Sequence, residues 1–134
     1  MDLDGGESAG YSLGPELRAS LLDLLGRGVR LTLADVIGAI PKDVPVSSAI
    51  RLFQRWGWDL LAERTAGRVR YYPGQQRAIT AVARACELRR LFGWLSQLGD
   101  AQATSMHPLN AKLAVESALI GYMEAIRPQC QGQG

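Results

Sequence analysis

The sequence predicts a mainly α-helical fold carrying one small β-hairpin. Apolar residues recur at three- and four-residue spacing through most of the chain, and Gly and Pro punctuate those runs where helices start and stop. The hairpin is predicted by two short strand candidates, residues 58–63 and 68–72, on either side of a Thr-Ala-Gly turn at 65–67. With 134 residues and 47% hydrophobic content, the chain is long enough to bury a core.

Residues 1–14 are rich in Gly and acidic side chains without periodicity, which predicts a frayed tail, pinned at most by Tyr11 or Leu13. Pro15 suits the first turn of a helix, whose apolar stripe is Leu17, Leu21, Leu24 and Leu25 and which Gly26 and Gly28 end. Residues 29–31 are a candidate short strand. Thr32 with Asp35 resembles a capping box, opening a second helix with Leu33, Val36, Ile37 and Ile40 as its buried stripe. Pro41 ends it, and the stiff turn at 41–45 carries two prolines.

The third helix begins at Val46. Val46, Ala49, Ile50, Phe53 and Trp56 fall on one side, while Ser47, Ser48, Arg51, Gln54 and Arg55 fall mostly on the other. Gly57 is expected to stop it and the hairpin to follow. Trp56 and one of Tyr71 and Tyr72 are expected in the core, because adjacent strand residues point to opposite faces. The other Tyr, or Trp58, is expected over the hinge to the next helix.

Residues 75–98 read as one long helix with Ile79, Val82, Ala83, Cys86, Leu91, Trp94, Leu95 and Leu98 apolar, and with a bend or close contact at Gly93. Residues 99–107 read as a loop. Pro108 opens a last helix with Leu109, Leu113, Leu119, Ile120, Met123 and Ile126 on its buried side, and Pro128 ends it before a tail at 129–134.

Net charge is only +2, yet residues 51–90 hold nine Arg against Asp59, Glu63 and Glu87. Positive charge concentrated on a helix and hairpin is the footprint of a nucleic-acid binder. The chemistry of an enzyme is not visible: there is no GxSxG, GxxxxGK[ST], GxGxxG or HExxH, and His107 is the only histidine. Cys86 and Cys130 lack metal-ligand spacing, so no metal or other cofactor is expected. No apolar run reaches the roughly 20 residues of a membrane helix, and a cytoplasmic protein without membrane contact is expected.

The order of three helices, then RWGWDLLAER, a small turn and GRVRYYP, resembles the winged helix-turn-helix family of bacterial and phage DNA-binding proteins, with no subfamily indicated. The likeness covers residues 15–73. It implies a winged helix-turn-helix domain over that range and a helical extension over 74–128. It also implies Ser47, Ser48, Arg51, Gln54 and Arg55 on a DNA-reading face, and Arg64, Thr65, Arg68 and Arg70 on a wing that grips phosphates. The function so implied is sequence-specific double-stranded DNA binding by a small transcriptional regulator, a repressor acting by occlusion. Leu91, Trp94, Leu95, Leu113, Leu119, Ile120 and Met123 are the candidate surface of a homodimer. The alternative is a protein-interaction module whose C-terminal helices capture another protein without specific DNA binding. A single-strand or RNA binder stacking bases on Trp58 or Tyr72 is a third possibility.

Overall fold

A computed structural model describes residues 13–103 and 110–127. Its regular structure is helical throughout: α1 (Pro15–Gly26), a 3-10 turn (Gly28–Arg30), α2 (Leu33–Ala39), α3 (Val46–Ala66), a second 3-10 turn (Pro73–Gln75), α4 (Gln76–Ala85), α5 (Leu88–Ala103) and α6 (Ala111–Ala125). No strand forms among the described residues, so the expected winged helix with its β-hairpin is not the fold. Residues 29–31, a candidate strand, lie in and just after the first 3-10 turn.

The hairpin fails for a reason visible in its first half. Leu60, Leu61, Ala62, Glu63 and Arg64 are strong helix formers, and they carry α3 through Gly57 for 21 residues, about 30 Å. Gly57 is a site of close approach: a Cβ there would stand 2.5 Å from Leu95 Cδ2 and 3.2 Å from its Cγ, so glycine lets α5 cross α3 closely. The glycine that ends α3 is Gly67, in the left-handed region at φ 71°, with its N–H on the Glu63 carbonyl.

The chain after Gly67 is held by a buried side chain instead of a β-ladder. Asp59 is fully buried, and its carboxylate accepts from the amides of Arg70 (2.8 Å), Tyr71 (2.9 and 3.0 Å) and Tyr72 (2.8 Å). Three consecutive backbone donors, of which a two-stranded hairpin would have paired only alternate ones, are satisfied by one carboxylate from the preceding helix.

Local starts agree with the residues that encode them. Pro15 occupies the first turn of α1. Thr32 Oγ1 accepts from the Asp35 amide and the Thr32 amide donates to Asp35 Oδ2, both at 3.1 Å, closing the capping box of α2. The predicted helix over 75–98 is two helices, parted at Cys86–Glu87, and Gly93 sits in open space on α5. Residues 99–103 extend α5 and are not loop. Asn110 caps α6, its side chain accepting from the Leu113 amide at 2.9 Å. The expectations at Pro108, His107, Pro128, Cys130, Tyr11 and most of the N-terminal tail lie outside the described residues.

Helix α3 is the hub. It packs against α1, α4, α5 and α6, and helices from both sides of Pro73 share one core. Phe53, Trp56, Trp94 and Tyr122 meet there, with Trp94 and Tyr122 ring centroids 4.9 Å apart. Polar atoms are paired: Trp56 Nε1 donates to Tyr122 Oη (3.1 Å), Tyr122 Oη to the Leu25 carbonyl (2.6 Å), and Trp94 Nε1 to the Ala118 carbonyl (2.9 Å). Burial drives the Tyr122 phenol pKa upward, so it stays a hydroxyl donor. Tyr72 is the buried tyrosine of its pair and reaches the Leu52 carbonyl at 3.2 Å.

Candidate interaction surfaces

The first surface is the outer side of α3. On the side that escapes the core, Arg51, Arg55 and Trp58 follow one another at helical spacing below Ser47. Trp58 is 51% exposed. Tyr71, 42% exposed, comes alongside because Asp59 holds its backbone, and the guanidiniums of Arg55 and Arg70 each lie 5.6 Å from its ring centroid. Ser48, Gln54 and Arg55 are half-buried, while Ser47, Arg51 and Arg68 are exposed.

The expected wing residues separate. Arg64 turns to α4, donating to the carbonyls of Ala83 (3.0 Å) and Cys86, where it closes the C-terminal end of that helix. Thr65 lies within α3 and donates to the Leu61 carbonyl at 2.8 Å. Only Arg68 and Arg70 lie beyond the helix, on a segment with no strand geometry. Cys86, beneath Arg64, is buried; desolvation raises its thiol pKa, and the nearby guanidinium offsets part of that rise.

The second surface lies between α2 and α6. At one end Lys112 Nζ donates to the carbonyls of Ile37 (2.9 Å) and Ile40 (2.7 Å), a cation on the C-terminal end of α2, and pairs with Glu116 (3.0 Å). At the other end Val29 and Leu31 line one shallow hollow with Met123 and Arg127. Helices α2 and α6 are therefore antiparallel neighbours. Leu33 and Ile37, expected in the buried stripe of α2, are instead 49% and 51% exposed, and on α6 Leu113 is 56% exposed. Val29 and Ile120 add to this aliphatic surface. Of that stripe Val36 and, at the C-cap, Ile40 are buried, and so short a helix leaves Leu33 and Ile37 outside the core.

The homodimer candidates divide accordingly. Leu91, Trp94 and Leu119 are core residues, Leu95 is half-buried against Gly57, Met123 is half-buried, and Leu113 and Ile120 face outward. Beside this surface Arg27 bridges Asp23 (2.9 Å) and Asp35 (3.2 Å). Hydrogen bonds from Thr32 and then Arg27 hold the Asp35 carboxyl pKa below its ordinary value.

Among the described residues no cluster of His, Cys, Asp and Glu is arranged to hold a metal ion, and no helix is long and apolar enough to cross a membrane. Comparison with protein-family models, with curated proteins and with solved structures finds no match. What bears on function is therefore the chemistry of the two surfaces themselves.

Proposed function

We propose that this chain is a helical protein-interaction module that docks an amphipathic helix of another protein along the α2–α6 face. The observation that carries the reading is the exposure of Leu33, Ile37, Leu113 and Ile120 on two antiparallel neighbours. Packed helices lie about 8–10 Å apart, and two aliphatic rows at that separation form a groove that accepts the apolar face of a third helix. Exposed aliphatic side chains that gather into one patch mark interaction sites, and the antiparallel placing of α2 and α6 supports that reading of these four.

The expectation of a regulator reading duplex DNA rests, in this fold, on the outer arginines of α3 alone. Its hairpin is absent, and Arg64 is engaged by carbonyls of the protein itself. The module reading needs neither.

The test is a photocrosslinking amino acid placed at position 113, with a second at Arg84 as a control outside the face. The expected outcome is one discrete crosslinked protein from position 113, lost when Ile37→Asp is added, with thermal stability unchanged. Sedimentation of the purified chain shows whether that protein is a second copy. A folded chain that yields no discrete product, or yields the same one from position 84, refutes the proposal.

A further inference from the structure

We propose that the Arg–aromatic face of α3 is a binding site for single-stranded nucleic acid, separate from the α2–α6 face. Between residues 51 and 71 the two acidic side chains are engaged elsewhere: Asp59 is fully buried, and Glu63 is half-buried and accepts from Thr80 Oγ1 at 2.9 Å. Arg51, Arg68 and Arg70 are exposed and Arg55 is half-buried, with the guanidiniums of Arg55 and Arg70 meeting at the Tyr71 ring. The charged side chains that this stretch of sequence presents to solvent are therefore arginines, although the whole chain carries only +2.

Charge alone would fit any polyanion; the rings narrow the choice. Trp58 and Tyr71 stand half in water near Arg55, which is three residues before Trp58 on the same helix and 5.6 Å from the Tyr71 ring centroid. Tyr71 is held in place because the Asp59 carboxylate accepts from its amide. Unpaired bases stack on exposed aromatic rings and on guanidinium planes while arginines follow the phosphates. In a duplex the base faces are already stacked on one another, so these rings would have nothing to meet. An acidic peptide would use the arginines and leave the rings idle.

The measurement is fluorescence anisotropy of labelled oligo-dT and oligo-U of about 20 nucleotides, a length chosen to exceed one site, beside a duplex of equal length at about 50 mM salt. At least one single strand should bind more tightly than the duplex, and its affinity should fall as salt rises. Trp58→Ala should weaken it about tenfold while Trp58→Phe retains it. The double variant Arg55→Ala/Arg70→Ala should lower the salt dependence by roughly 0.7 for each phosphate it no longer neutralises. Ile37→Asp, on the other face, should change nothing, so failure here is distinguishable from failure of the docking proposal. Equal or tighter duplex binding, competition by polyglutamate matching that by oligonucleotide, no binding, or indifference to Trp58→Ala would each overturn the inference.

Discussion

Replacing Asp59 with asparagine keeps the size of the side chain and removes half of its accepting capacity. In the native protein Oδ1 accepts from Arg70 and Tyr71 and Oδ2 from Tyr71 and Tyr72. An asparagine oxygen can serve one end of that row, which sets the side-chain NH2 against the remaining backbone N–H. One charge-assisted bond becomes a donor facing a donor, and the others weaken to neutral strength. With about 1–3 kcal/mol for a buried donor left unsatisfied, Asp59→Asn should cost roughly 2–3 kcal/mol. Asp59→Ala deprives all three amides, but those of Arg70 and Tyr71 are only part-buried and can recruit water, so the loss should be roughly 3–5 kcal/mol. For a domain of this size that is a fall of about 11–18 °C in Tm for the alanine variant. Thermal and urea unfolding followed by circular dichroism measure it. Limited trypsin digestion adds a local readout, since release of the 67–72 segment frees the backbone at the already exposed Arg68 and Arg70 to enter the protease. An alanine variant within about 1 kcal/mol of the parent, with unchanged cleavage at those arginines, would falsify the account of how this segment is held.

Gly57→Ala should destabilise by about 1–3 kcal/mol, because its methyl group would sit 2.5 Å from Leu95 Cδ2. Shortening Leu95 to Ala in the same chain should remove most of that penalty, and a double-mutant cycle in urea unfolding measures the coupling. Asp35 gives a pH dependence of known sign. Its folded pKa lies below the unfolded value, so its contribution to stability is present above about pH 4 and is lost as pH falls through the folded pKa. The unfolding midpoint of the parent should therefore fall below about pH 4 more steeply than that of Asp35→Asn; parallel profiles would exclude the Thr32–Arg27 arrangement as the cause.

Signals that act locally are readable in the sequence, and those that depend on distant partners are not. Pro15, the Thr32–Asp35 pair and the start of α3 at Val46 act within a few residues, and the structure shows each. Gly57 is a different case: a glycine inside an amphipathic run looks the same whether it ends a helix or admits a neighbour, and Leu95 lies 38 positions away. The run LLAER after it, all good helix formers, is the available sign that α3 continues. A glycine turn and a basic aromatic stretch suggest the hairpin, but those backbone donors go to Asp59, a partner that no strand pattern encodes. The break at Cys86–Glu87 has neither Gly nor Pro to announce it. On the candidate surfaces, Arg51 and Arg55 are legible as outward-facing side chains of an amphipathic helix. Leu33 and Ile37 are not, since apolar periodicity marks a stripe without revealing whether anything covers it.

The oxygen of Tyr122 has a consequence for how the chain can be divided. It joins α6 to the end of α1, 97 positions earlier, and to the centre of α3, 66 positions earlier. A fragment ending before Asn110 would deprive the indole N–H groups of Trp56 and Trp94 and the Leu25 carbonyl of the partners they have in the intact chain. Neither piece of the molecule is a finished object, and α1 and α6 must take their places together.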